Sequence, residues 1–295
     1  MSFCVRRAVL SLFLLAALSP LAIGCSGDGF SADRAYSLCA RILSFGPRPS
    51  GSDSLEKVRG LISGELRGSG LEPSFDYFTM ETPEGAVRFC NVSAVKTGRG
   101  GRGRKRIIVA AHYESKLFRN FRFEGANDNA SGTAVLLELS RVLSKRGLSS
   151  DVEFLFLDGE EAFGAWSESD SLYGSRRRAS LISSPDSVRA FVLLDMIGER
   201  DVRIDFDGFS DPALLAKLDE AARLTGNESA LSGRMIHVED DHLPFAALGI
   251  PSIDVIDFSF PEWHTEGDSL GVISAESLGR SGEIVLRLLE LVDGA

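Results

Sequence analysis

Two adjacent carboxylates, Glu160 and Glu161, follow the apolar run Phe154-Leu155-Phe156-Leu157 after an Asp-Gly step. Successive side chains at the C-terminal end of a strand point to opposite sides, so one of the pair can hold a cation while the other stays free to move protons. Further polar residues stand where strands are expected to end: His112 after Ile107-Ile108-Val109-Ala110-Ala111, Asp195 after Phe191-Val192-Leu193-Leu194, and His264 directly after Trp263. Asp128 lies within Gly-Ala-Asn-Asp-Asn-Ala-Ser-Gly, ahead of a helical stretch. Imidazole nitrogen and carboxylate oxygen are ligands that Zn2+ accepts, and three protein ligands with one exchangeable position make a catalytic rather than a structural site. The pattern reads as a metal and a base.

Taken singly, each residue has an ordinary explanation. A lone histidine is most often a core or surface residue, an aspartate before a helix is most often its N-cap, and paired glutamates are most often solvated. Asp195 differs, because a charge buried at the end of an apolar strand is costly unless it meets a cation, a hydrogen-bond network or a proton. The five positions carry weight only if the fold brings them together.

The elements that must do so are legible from periodicity. Residues 33 to 45 and 53 to 67 show helical spacing and are separated by Gly46-Pro47-Arg48-Pro49-Ser50-Gly51, whose prolines forbid a continuous helix. Segments 74 to 80, 86 to 96 and 106 to 111 are rich in aromatic and β-branched residues, and 152 to 157, 190 to 195 and 252 to 257 are short apolar runs of the buried-strand type. Helical spacing returns at 130 to 145, 211 to 224 and 275 to 293. This alternation predicts an α/β fold, a three-layer α/β/α sandwich around a central, mostly parallel mixed sheet, with functional groups clustered where strands end.

Composition bounds the rest. With 295 residues, 44% apolar and 25% charged, the chain can bury a sizeable core. Arg6 and Arg7 precede the apolar run Ala8 to Leu18, and Leu21-Ala22-Ile23-Gly24 leads to Cys25, which is the plan of a secretory signal with a run too short to cross a bilayer. The small residues before Cys25 and the Ser-Gly-Asp-Gly after it resemble a bacterial lipoprotein signal. That implies removal of residues 1–24, lipidation of Cys25, and export of one catalytic domain, residues 25–295, held by its anchor at the periplasmic face of the outer membrane or at the cell surface. Ordinary secretion is the alternative.

Residues 1–24 hold two arginines and no acid, so their loss takes the formal net charge from −10 to −12 and argues against nucleic-acid binding. The basic run from Arg99 to Arg106 reads as a solvated hairpin loop and is given no function. Cys39 and Cys90 are left as either a disulfide pair or two buried thiols, because the bond needs a separation that spacing does not reveal.

The stretches His-Tyr-Glu-Ser (112–115), Gly-Ala-Asn-Asp-Asn-Ala-Ser-Gly (125–132), Glu160-Glu161, Leu-Asp-Met-Ile-Gly (194–198) and Trp-His-Thr (263–265) together resemble the zinc-dependent aminopeptidase superfamily. Asp158 to Phe163 with Trp166, Asp170 to Arg176, Asp240-Asp241-His242-Leu243-Pro244-Phe245 and Phe258 to Thr265 narrow the resemblance to the glutaminyl cyclases, over about residue 40 to the C-terminus. The resemblance implies one zinc held by Asp128, Glu161 and His264, with Glu160 as general acid/base and Asp195 and Asp240 as acidic hydrogen-bonding partners. It also implies a substrate pocket shaped by Trp166, Phe260 and Trp263, and a reaction in which N-terminal glutamine of a peptide or protein closes to pyroglutamate with release of ammonia. A monomer is expected.

Two rivals remain at this stage. His112 and Asp195 occupy positions that hold a second zinc in two-metal aminopeptidases of the superfamily, which would hydrolyse the first peptide bond. A lipoprotein that keeps the fold as a binding module without turnover is the other.

Overall fold

The computed structural model describes Met1 and residues 29–294; residues 2–24 of the expected leader and Cys25 lie outside the described residues. Helix α1 (Ala32–Leu43) opens at Ser31, whose hydroxyl accepts from the Arg34 N–H, and buries Ala35, Leu38, Cys39 and Ile42 on one face. Helix α2 (Asp53–Gly68) begins the same way at Ser52 and buries Leu55, Val58, Ile62 and Leu66. Strands β1 (Ser74–Thr82) and β2 (Gly85–Lys96) then form a hairpin closed between Thr82 and Gly85.

From there strands and helices alternate, except that β6 follows β5 directly: β3 (Arg106–His112), α3 (Gly132–Arg146), β4 (Asp151–Leu157), α4 (Tyr173–Ser180), β5 (Val188–Asp195), β6 (Ile204–Asp207), α5 (Pro212–Thr225), β7 (Leu231–Ile236), a short α6 (Leu243–Ala246), β8 (Ser252–Ile256) and α7 (Ala275–Asp293). Six strands make one sheet in the order β1-β2-β4-β3-β5-β8. The β4-β3-β5-β8 block is parallel, and the β1–β2 hairpin joins it antiparallel through β2–β4. β6 and β7 form a separate parallel pair. Among the described residues no helix is long and apolar enough to cross a membrane.

Period-2 alternation in the central strands sorts their side chains to two cores. Ile107, Val109 and Ala111 of β3 pack with Leu38, Leu55, Leu136, Leu218 and Leu288, which puts α1, α2, α3, α5 and α7 on one face. Ile108 and Ala110 point the other way, with Phe191, Leu193, Ala179 of α4 and Phe245 of α6. Burial of both faces explains why these strands read as near-continuous apolar runs. The expected three-layer α/β/α arrangement is present, with one helical layer much thicker than the other.

Two local expectations are corrected, and the open alternative for the cysteines is resolved. Residues 97–105 do not close a hairpin: β4 lies between β2 and β3, so this segment crosses the start of β4, where Gly98 N–H donates to Asp151 and the N–H groups of Arg99 and Gly100 donate to Leu148 and Ser149. Glu160 and Glu161 do not end a strand. β4 stops at Leu157 and turns at Gly159, whose φ of +87° and closeness to Phe89 exclude a side chain. Cys39 and Cys90 are buried and unpaired, and burial pushes the Cys39 thiol up to about 12 and the Cys90 thiol to about 11.

Candidate active site

β3 leads through α3 to β4 on one side, and β4 leads through α4 to β5 on the other, so the carboxyl ends of β3 and β5 flank the place where the winding reverses. His112 is the last residue of β3 and Asp195 the last of β5. Asp128 lies in the irregular turn Ala126–Ser131 that opens α3, Glu160 and Glu161 in the loop after β4, Asp240 just before α6, and His264 in the loop after β8.

Side-chain atoms of these residues meet in two overlapping sets, and a third joins His112 and Glu160 to Glu114. Asp128, Glu161 and His264 place ligand atoms within 4.8 Å of one another, and so do His112, Asp128 and Asp195. Asp128 serves both. Its Oδ2 is 3.3 Å from His264 Nε2, which also lies 3.0 Å from Glu161 Oε1, and its Oδ1 is 3.3 Å from His112 Nε2, itself 3.4 Å from Asp195 Oδ1. The donors are oxygen and imidazole nitrogen, and buried atoms such as Asp195 Oδ1 and His112 Nδ1 have no hydrogen-bond partner. A carboxylate-rich, partly unsatisfied set of this kind fits a divalent cation.

The loops that carry these groups are held by residues the sequence reading had given no role. Glu114 Oε1 accepts the N–H groups of both Glu160 and Glu161, at 2.7 and 3.2 Å, so the chain leaving β3 fixes the turn leaving β4. Asp268 accepts the N–H groups of Asn127 and Asp128 at 2.7 and 3.1 Å. Asn127 and Asn129 tie the same turn to the end of β5, through Gly198 and Met196 for the first and Leu194 for the second. The buried Arg48 guanidinium donates to the carbonyls of Tyr113, Glu124 and Gly125, which explains the conspicuous Phe45-Gly46-Pro47-Arg48 turn. Lys116 Nζ, at 2.8 Å from Glu161 Oε2, is the remaining omission. These roles depend on contacts across long stretches of chain, and only the stretches Gly46 to Gly51, His-Tyr-Glu-Ser and Asn-Asp-Asn flagged any of them.

Electrostatics separate the two adjacent glutamates. Burial, and then the charge of Glu161, raises Glu160 well above the ordinary 4.5. Burial lifts Asp195 to about 6 and, with the charge of Asp195, Asp240 to about 7. Asp128 goes the other way: burial opposes it, but hydrogen bonds from His112 and His264 hold the carboxyl below its ordinary 3.8. For His264, burial is outweighed by Asp128 and Glu161, which lift the imidazole to about 9.

Above this cluster opens a cavity of about 470 Å3 lined by Lys116, the acids, Met196, Trp166, Phe258, Trp263 and His264. Trp263 stacks on His264 with ring centroids 4.2 Å apart, and Phe258 lies 5.0 Å from Trp263. Trp166 and Trp263, two of the three aromatics expected at the pocket, both line this cavity. Phe260 does not: it packs behind the wall against Met196 and Ile256, and Phe258 takes the exposed position. Met196 and His264 are both non-glycine residues at left-handed φ, +50° and +55°, a strained geometry that aims their side chains into the cavity.

The chain matches the model of peptidase family M28 over residues 91–289. It is 31% identical over 265 residues to a glutaminyl-peptide cyclotransferase-like protein of Bos taurus, covering 75% of this chain and 66% of that protein. To a glutaminyl-peptide cyclotransferase of Bothrops jararaca it is 32% identical over 266 residues, covering 75% and 71%. The crystal structure of an Acidobacteriales bacterium glutaminyl cyclase superimposes with a TM-score of 0.84 at 34% identity, over 96% of this chain and 99% of that one. The chain belongs to peptidase family M28, in its glutaminyl-peptide cyclotransferase branch.

Proposed function

We propose that the protein is a zinc-dependent glutaminyl-peptide cyclotransferase, an acyltransferase that converts N-terminal glutamine of peptides or proteins to pyroglutamate and releases ammonia. The observation that carries this reading is the meeting of Asp128, Glu161 and His264 on the floor of an aromatic cavity, with Glu160 beside them and raised in pKa. Asp128, Glu161 and His264 hold the zinc, which when bound supplies a Lewis acid for the glutamine side-chain carbonyl.

The chain's own residues do the remainder. The substrate's α-amine attacks the γ-carboxamide carbon, forming the ring C–N bond, and Glu160 accepts the proton the amine gives up. Glu160 then returns a proton to the departing nitrogen as the second C–N bond breaks, so ammonia leaves and the carboxylate is regenerated. A carboxyl shifted toward neutrality can perform both transfers. Burial comes first, and the charge of Glu161, followed by those of Asp240 and Asp241, supplies the negative surroundings that sustain that shift. Because nucleophile and electrophile belong to one molecule, holding a ring-like conformer and excluding water is most of the task, and Trp166, Phe258 and Trp263 wall the cavity for it.

A two-metal aminopeptidase is the second reading, favoured by the His112–Asp128–Asp195 set. Incubation with a Gln-initiated peptide separates them. Release of one ammonia with the chain intact is the expected result, and a shortened peptide would overturn it. Near-equimolar zinc is expected for the cyclase and twice that for the peptidase. A protein that acquires no metal and turns over neither way would support the non-catalytic binding role.

The reading extends to location: an exported, monomeric bacterial lipoprotein, with residues 1–24 removed, residues 25–295 forming the catalytic domain and Cys25 lipidated to hold it at a membrane. Incorporation of labelled fatty acid that disappears in Cys25→Ser is the expected outcome, and unlabelled wild-type protein would refute it.

A further inference from the structure

The cavity's charged groups divide by depth. Asp128, Glu160, Glu161, Asp195 and Asp240 are all buried at the floor, and Lys116 is engaged by Glu161 Oε2 and the Ala162 carbonyl, at 2.8 and 3.1 Å. Glu239 is different. It is exposed on the rim, its Oε2 accepts from the Trp166 indole N–H at 3.1 Å, and no cation pairs with it among the described residues. The rest of the exposed rim is Gly164, His237 and the rings of Trp166, Phe258 and Trp263.

Resting on the reading proposed above, a glutamine seated on the floor sends the following residue out across this rim. We infer that Glu239 is a specificity-determining residue that selects peptides with lysine or arginine immediately after the N-terminal glutamine. Such a side chain lays its apolar stem and cation against the Trp166 face and meets the carboxylate that the indole N–H already orients. An acidic residue in that position meets like charge instead. The hydrogen bond also gives Glu239 a second, separable task, since it joins the loop after β4 to the loop before α6 across the opening.

The test compares kcat/KM for otherwise identical Gln-Lys, Gln-Leu and Gln-Glu peptides at low ionic strength, using the zinc-loaded protein. The wild type is expected to prefer Gln-Lys over Gln-Glu by about fivefold, mostly through KM, with the preference shrinking as salt is added. Glu239→Gln keeps an acceptor for the indole but removes the charge, so its Lys-to-Glu ratio should fall toward one. Glu239→Lys should invert the ratio. Equal rates on the three peptides in the wild type, or an unchanged ratio in Glu239→Gln, would overturn the inference while leaving the cyclase reading intact. Failure to release ammonia from any of the peptides would overturn both.

Discussion

Asp128 gives each of its carboxylate oxygens to a different imidazole, and its carboxyl is held below the ordinary range. Glu160, two loops away, is pushed the opposite way by burial and by Glu161. Residues of one chemical type are thus set to be ligand and proton carrier by their surroundings. Glu160→Gln should retain zinc by metal analysis while turnover falls by about 10²- to 10⁴-fold, and near-normal turnover would refute its role. Asp268 touches no ligand atom in either set but holds the backbone of Asp128, so Asp268→Ala should weaken zinc affinity by about 10- to 100-fold in a competition titration with a chelator.

At the scale of elements, the site is built where parallel strands stop, and the loops after them are fastened to one another more than to solvent. The turn after β4 shows how local chemistry and packing combine. Gly159 is at positive φ, and a Cβ there would come within 2.5 Å of the Phe89 ring, which packs against Tyr173 and Phe78. Gly159→Ala should cost about 1–3 kcal/mol in denaturant unfolding and should depress activity further, because the strain is relieved by moving Glu160 and Glu161. An unchanged unfolding midpoint would show that this turn tolerates a side chain.

For the whole molecule, the concentration of acids at one end of the sheet makes stability depend on pH and metal. Asp195, Asp240 and Asp268 are raised from 3.8 to about 6, 7 and 7, and His264 from 6.5 to about 9. Raised values mean that the folded chain binds more protons than the unfolded one. The stability contributed is present at low pH and is lost as pH rises, through about 4–7 for the acids and 6.5–9 for His264. Metal-free protein should therefore show a melting temperature that falls between pH 5 and 9 by about 5 °C or more. Zinc binds the deprotonated ligands, so the stabilisation it adds should grow over the same range, as measured by calorimetry with and without chelator. A flat profile in the metal-free protein would contradict this account.

Periodicity and residue type alone determined the strands and helices that matter, the three-layer architecture, and the candidates His112, Asp128, Glu160, Glu161, Asp195 and His264, because alternation of apolar residues and polar strand ends are local signals, whereas Asp240 entered only through the family resemblance. What spans distant segments was decided only by the fold. The crossing of residues 97–105 over β4, the small β6–β7 pair, the burial of Phe260 behind an exposed Phe258, and the fastening of loops by Glu114, Asp268 and Arg48 all depend on which stretches come to lie side by side. Tertiary contact also set the protonation tendencies of the cluster, since desolvation and neighbouring charge act through space and leave no mark in the order of residues along the chain.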